Sequence, residues 1–159
     1  VIIRPATKHD APDVFNLIFE LAVFEKAPEQ VTNTVEQMIV DGYGETPCYK
    51  VIVAEVENKI VGIALTFIKY STWKGKGVFL EDLIVTESMR GQNIGKMLFE
   101  EVIAYAKSIN AKQLHWQVLD WNTTAIDFYK KSGAKLFADW RVIQMDDKAI
   151  SNFLNIEKT

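Results

Sequence analysis

The stretch "MRGQNIGKML", residues 89–98, narrows most sharply what this chain can fold into. It follows "VFLEDLIVT" (78–86), whose β-branched and apolar residues predict a strand. It precedes a run in which Ile94, Met97, Leu98, Val102 and Tyr105 share one helical face to about Ser108. A turn from strand into helix presents free backbone N–H groups and the positive end of the helix dipole. Both favour an anion, a diphosphate above all. Gly91 and Gly95 lack the Cβ atoms that would block close approach, and Asn93 tolerates positive φ. Arg90 adds a charged fork and Lys96 a point charge. Two phosphate-binding templates come close. Against G-x-x-x-x-G-K-[ST], "GQNIGKM" is one residue short and has methionine where the magnesium-binding hydroxyl belongs. Against G-x-G-x-x-G, "RGQNIG" lacks the first glycine, although Asp120 after the next strand would suit a ribose. On spacing alone, a glycine-rich turn without a ligand stays open too.

The surrounding pattern predicts a mixed α/β domain. "VIIRPA" is a short strand ending at Pro5, and "HDAPDVFNLIFELAVFE" is a helix capped by Asp10, with Pro12 in its first turn. Val14, Leu17, Ile18 and Leu21 form that helix's apolar face. A shorter helix runs from Val35 to Asp41 and is stopped by "GYG". Two β-rich runs between Lys50 and Tyr70 flank "ENK" as a hairpin, and "QLHWQVL" (113–119) is a further strand. "WNTTAIDFYKKSG" is a helix with Asn122 near its cap and Gly133 at its stop. "DWRVIQM" (139–145) predicts the last strand, followed by a short terminal helix. The fold class expected is α/β with an α+β-type mixed sheet, as one domain over 1–159, antiparallel strands first and a β-α-β-α run later.

Composition removes several functions. A net charge of −3 and a pI near 5.4 disfavour nucleic acid as partner and permit a cationic one. The longest apolar run, Ile60 to Ile68, falls short of the ~20 residues of a spanning helix, and "VIIRPATKHD" does not read as a secretory signal. One cysteine excludes an internal disulfide and makes an intracellular site the default. Cys48 has no adjacent base, which predicts a buried, inert thiol, and His9 reads as a surface residue. Two histidines and one cysteine make no metal site.

"RGQNIG" resembles the [RQ]-x-x-G-x-[GA] segment with which GNAT N-acetyltransferases hold the diphosphate of acetyl-CoA, with Asn93 where many members have glycine. "VIIRPAT", "FELAVFEKAPEQV", "DGYGETPCY", "VAEV", "YSTWKGK", "FLEDLIV", "VLDWNTTAIDFYKKSGA" and "WRV" follow the order and spacing of the diamine acetyltransferase family. That group includes spermidine/spermine N1-acetyltransferase. "FEK", "YSTWKGK" and "VLDWN" look more like its thialysine Nε-acetyltransferase branch. The resemblance implies the GNAT acyl-CoA N-acyltransferase fold, acetyl-CoA as cosubstrate and no metal. It also implies direct acetyl transfer to a primary amine of a small cationic substrate (a polyamine, a diamine or a thialysine- or lysine-like amino acid) by a cytoplasmic homodimer.

The chemistry assigns roles to residues. An alkylammonium with a pKa near 10.4 leaves about one molecule in a thousand or fewer as free amine at pH 7, so a base is needed. Strand alternation sends Glu81 and Asp82 to opposite faces, so that one enters the cleft. The resemblance makes Glu81 the base, through water. It gives backbone N–H groups around Leu83, Ile84 and Val85 to the oxyanion, and it makes Arg90, Gly91, Gln92, Asn93, Ile94, Gly95 and Lys96 the diphosphate turn. Tyr129, in the match "N-x-x-A-x-x-x-Y" from Asn122, becomes the acid for the departing thiolate. Asn122 would touch the pantetheine or its diphosphate arm, and Lys131 the nucleotide phosphates. Phe24, Glu25, Trp73, Asp82, His115 and Trp140 would line the amine site with carboxylates and aromatic faces. The loop before Trp140, "KLFAD", is shorter than in the family and lacks its extra glutamates, which disfavours a long polyamine. Competing readings are acetylation of a protein or peptide lysine in an open groove, and an acyl-CoA sensor without turnover. A nucleotide dehydrogenase is contradicted by the missing first glycine.

Overall fold

The computed structural model describes residues 1–156. The chain divides into two compact units, one from Val1 to Leu119 and one from Asp120 onward, and each is described by itself. Unit one holds a five-stranded mixed sheet in the order β1-β2-β3-β4-β5, formed by β1 (Ile2–Pro5), β2 (Lys50–Val56), β3 (Lys59–Ser71), β4 (Gly75–Val85) and β5 (Leu114–His115). The first four strands pair antiparallel, and β4 pairs parallel with β5. Three α-helices accompany them: α1 (Ala11–Phe24), α2 (Val35–Tyr43) and α3 (Ile94–Ser108).

The middle strands are buried on both faces, from Val51 to Ala54 and from Val61 to Thr66, which is why both read as continuous apolar runs. On one face Val14 and Leu17 of α1 and Met38 of α2 pack with Val51, Val53, Ile63, Leu65 and Ile84. Ile94, Leu98, Phe99 and Val102 of α3 are buried and pack against the sheet. The "ENK" hairpin forms as expected, with Glu57 and Asn58 both at positive φ, the conformation a tight two-residue turn requires. α3 spans the predicted helix. Its start is fixed by Ile94, a fully buried anchor.

Four details differ from expectation. Asp10 does not cap α1. Its carboxylate accepts from Thr7 and pairs with Arg4, closing a short 3₁₀ turn (8–10), while Arg4 of β1 also donates to Glu55 of β2. α2 continues through Gly42 and ends at Gly44. A Cβ on Gly42 would stand 2.4 Å from the Tyr49 ring, so glycine here serves a close approach and not a stop. The strand expected over 113–119 shrinks to two residues. Cys48 is exposed, because it lies in the loop after α2 with its thiol toward the Thr46 carbonyl.

In unit two, α4 (Thr123–Lys131) is capped by Asn122, whose side chain accepts from the Ala125 N–H at 3.2 Å, and Gly133 follows it at φ 89°. The strand expected at 139–145 is absent. Those residues have no ladder partner, and a helix, α5 (Asp147–Ile156), follows. A lone run of β-branched residues makes no strand without a neighbour to take its hydrogen bonds.

Candidate active site

β4 and β5 stay together only at Val78↔Leu114 and Phe79↔His115. β4 then continues to Val85 with β3 on one side and no strand on the other. The bond from Thr86 N–H to Val61 C=O, 2.9 Å, sets the phase of the β3–β4 ladder. Bonded pairs alternate, so Ile84 faces β3 with its backbone groups while those of Leu83 and Val85 point to the open edge. Those N–H groups are where a developing oxyanion could be met.

At the fork the register slips between Leu65↔Asp82 and Thr66↔Leu80, leaving Glu81 as the extra residue of a β-bulge. The bulge interrupts the alternation that was expected to part Glu81 from Asp82. Glu81 is exposed and Asp82 half-buried. Asp82 helps line a cavity of about 370 Å³ with Phe15 and Ile18 of α1, Met38 and Asp41 of α2, Tyr49 and Leu65. Its carboxyl is pushed up from an ordinary 3.8 to about 7, chiefly by burial and further by the negative charges of Glu81 and Glu25. Burial also raises Glu25. Two carboxylates, Asp82 and Asp41, thus line a cavity that is otherwise largely apolar, and the charges of Glu81 and Glu25 reach Asp82 from outside that lining.

The turn beyond β4 is built for an anion. After a short 3₁₀ turn (87–89), Gly91 lies at φ 77° and Asn93 at φ 63°, in the left-handed region. No side chain caps the first turn of α3. A Cβ on Gly91 would meet nothing within 4 Å, and one on Gly95 only Val85 Cγ2 at 3.7 Å, so both glycines border free space. This cradle of backbone N–H groups at a helix N-terminus fits a diphosphate. The charged side chains are placed differently from expectation. Lys96 pairs with Glu100 along the helix, 3.6 Å away, and Arg90 folds back so that its Nε–H donates to the Val85 carbonyl at 3.0 Å. Gln92 donates toward the Met89 sulfur at 3.7 Å.

Other expected residues are scattered. His115 sits at the fork itself. Lys69 Nζ stands 3.3 Å from its Nδ1, and because an ammonium can only donate, Nδ1 accepts and Nε2 carries the proton. Burial, with help from the Lys69 charge, lowers the imidazole pKa, so the ring is neutral at pH 7. Trp73 lies at the tip of the β3–β4 hairpin, 90% exposed, roughly 20 Å along the strand from Glu81. Phe24 is the expected aromatic residue that does approach the turn, through Arg90. In unit two, Tyr129 is half-buried on α4, and burial pushes its phenol up to about 12. Lys131 is exposed in the last turn of α4, and Trp140 is 79% exposed. Sequence reasoning missed Glu20, Asp41 and Tyr49. All three lie within stretches that carry the family resemblance, "FELAVFEKAPEQV" and "DGYGETPCY", but their residue types alone gave them no role.

The raised Asp82 carboxyl predicts a trade of stability for function. Between pH 3.8 and about 7 the folded chain holds a proton that the unfolded chain has released. Stability from this group therefore falls as pH rises through that window, and the full cost is present above it. Asp82→Asn, which cannot ionise, is expected to raise Tm by a few degrees at pH 8 and to leave it within about 1 °C at pH 4 by scanning calorimetry. A Tm at pH 8 equal to or below the parent's contradicts this.

Comparison with known proteins agrees with this geometry. Residues 13–134 match the Acetyltransferase (GNAT) family. A thialysine N-epsilon-acetyltransferase of Bos taurus is 37% identical over 161 aligned positions, covering 94% of this chain and 95% of the relative. A human spermidine/spermine N(1)-acetyltransferase-like protein 1 is 31% identical, over 83% of this chain and 20% of that protein. Among solved structures, an integron cassette protein from the mobile metagenome of V. cholerae superposes with a TM-score of 0.78 at 24% identity, covering 96% of each chain. A β4 that leaves its neighbour beside a glycine turn, found within a match of this length, means that the chain belongs to the GNAT family of acetyltransferases.

Proposed function

We propose that the protein transfers the acetyl group of acetyl-CoA directly to a primary amine of a small cationic molecule, of the thialysine, lysine-like or short diamine kind. The observation that carries this is the half-buried Asp82, which lines an apolar cavity with Asp41 and feels the charges of Glu81 and Glu25, close to where β4 loses β5. These carboxylates attract a cation and the apolar lining suits its methylenes. The thialysine-named relative at 37% identity supports an amino-acid-sized acceptor.

Acetyl-CoA supplies a thioester carbonyl, which an unprotonated amine attacks. This chain's residues then have four tasks. The turn from Gly91 to Gly95 holds the diphosphate with backbone N–H groups. Asp82 and Glu25 hold the ammonium. Glu81, the exposed member of the group, takes its proton through water. Delivery of a proton from a pKa of 10.4 to Asp82, whose carboxyl is raised to about 7, is uphill by only roughly 5 kcal/mol, so Asp82 can share the proton that leaves the amine. Burial and the neighbouring carboxylates together favour that proton uptake. The N–H groups of Leu83 and Val85 face the developing oxyanion.

Tyr129 of unit two is assigned by its place in the Asn122–Tyr129 pattern, as hydrogen-bond donor to the departing sulfur. Its phenol near 12 lies above a thiol near 8.5, so outright transfer is uphill by about 5 kcal/mol. Tyr129 keeps hold of its proton until solvent can replace it. We further propose that the protein acts in the cytoplasm as a homodimer, for which light scattering would return twice the monomer mass.

A thiol-release assay with acetyl-CoA across thialysine, lysine, ornithine, spermidine, short diamines and a histone-tail peptide tests the acceptor class. Turnover of the peptide alone would overturn it. Tyr129→Phe is expected to cut kcat at least about tenfold with acetyl-CoA affinity within about threefold, and unchanged kcat removes it as donor. Glu81→Gln is expected to lower kcat/KM most on the acid side of the pH profile, where free amine is scarcest. A profile of unaltered shape and height assigns the base elsewhere.

A further inference from the structure

Glu20 and Phe24 stand one helical turn apart on α1, so their side chains rise together. Both meet the segment after β4. Glu20 Oε1 accepts the Glu87 backbone N–H at 2.9 Å and lies 3.9 Å from Arg90 Nη2. The Arg90 guanidinium lies over the Phe24 ring, 5.2 Å from its centroid, while its Nε–H donates to the Val85 carbonyl. Arg90, the residue that opens the diphosphate turn, is thus bent across the end of β4 and lodged against two residues of α1. The Nη groups keep further N–H donors, enough to serve a phosphate oxygen without releasing Phe24. Phe24 is followed by Glu25, whose charge reaches Asp82.

We propose that Glu20 is a positioning residue: acting through Arg90, it ties the acceptor wall on α1 to the diphosphate turn, so that the amine binds more tightly once the turn is filled. This rests on the acetyl-transfer reading above. A partly exposed ion pair of this kind adds little to stability, so fold maintenance is a poor account of it. Coupling is a better one. An anion in the turn fixes Arg90, Arg90 fixes the Phe24 ring, and the ordering cost met by the first ligand is spared the second. The effect is reciprocal.

Calorimetry with coenzyme A, which lacks the acetyl group and permits no turnover, tests this. The probe amine is whichever of L-thialysine and spermidine the enzyme acetylates, titrated into the protein alone and into protein saturated with coenzyme A. The parent is expected to bind the amine at least about fivefold more tightly in the second case. Glu20→Gln keeps an oxygen for the Glu87 N–H but presents no charge to Arg90, and its ratio is expected to fall to within about twofold of one. Should that variant not fold, Arg90→Lys decides, since an ammonium cannot both bond Val85 and lie flat on Phe24; it too must lose the ratio. A role in folding alone would weaken both titrations equally. A parent ratio of one, or a folded Glu20→Gln or Arg90→Lys with the parent's ratio, overturns the coupling. Absence of any heat with coenzyme A instead defeats the acetyl-transfer reading itself.

Discussion

β4 loses its partner after Phe79, and the rest of the site depends on that loss. A strand in mid-sheet has its backbone groups committed on both sides. Here β5 ends at His115, and the N–H groups of Leu83 and Val85 are left facing an edge. Within unit one no described strand pairs with this edge, and backbone donors are costly unless something meets them. The edge runs on to the turn at Gly91 and Asn93, both in the left-handed region. On the proposed reading, one strip of the chain would offer hydrogen bonds to a carbonyl at one end and to a diphosphate at the other.

The bulge at Glu81 adds the acid–base part. Strict alternation would send one carboxylate to each face of the sheet, and the bulge interrupts it at this pair. The charges of Glu81 and of Glu25, which follows α1, both act on Asp82. The raised Asp82 carboxyl records first its burial and then the neighbouring charges of Glu81 and Glu25, all of which disfavour the ionised form. A cationic acceptor relieves that repulsion, so part of its binding energy comes from cancelling a strain already in the fold. In unit two, burial pushes the Tyr129 phenol up to about 12, which suits the proposed role of a hydrogen-bond donor that keeps its proton.

Much of this was legible in the sequence, for local reasons. α3 and the turn before it combine periodicity, two glycines and an asparagine, each with one cheap conformation to offer. The hairpin at Glu57 and Asn58 and the Asn122 cap are likewise short-range chemistry. The failures are non-local. Nothing in "FLED" announces a bulge, because the slip belongs to the pairing with Leu65 and Thr66. "DWRVIQM" has strand composition but no neighbour. Asp10 was read as a helix cap because its partner Arg4 is recognisable only once β1 is folded. Glu20 meets Glu87 across 67 positions, so although it lies in "FELAVFEKAPEQV" the contact itself is not legible there. Trp73 is expected at the amine site from the match at "YSTWKGK", and the hairpin places it about 20 Å along β4 from Glu81.

The claim on which all this turns is that the backbone donors from Leu83 through Gly95 hold a diphosphate-bearing thioester. Isothermal titration of coenzyme A and of pantetheine, which lacks the diphosphate, into the parent and Gly91→Val measures it most directly. The account predicts that the parent binds coenzyme A at least about a hundredfold more tightly than pantetheine, and that Gly91→Val loses that advantage because valine at φ 77° both strains the turn and fills its free space. Equal affinity of the parent for the two ligands, or an undiminished preference in Gly91→Val, would contradict it.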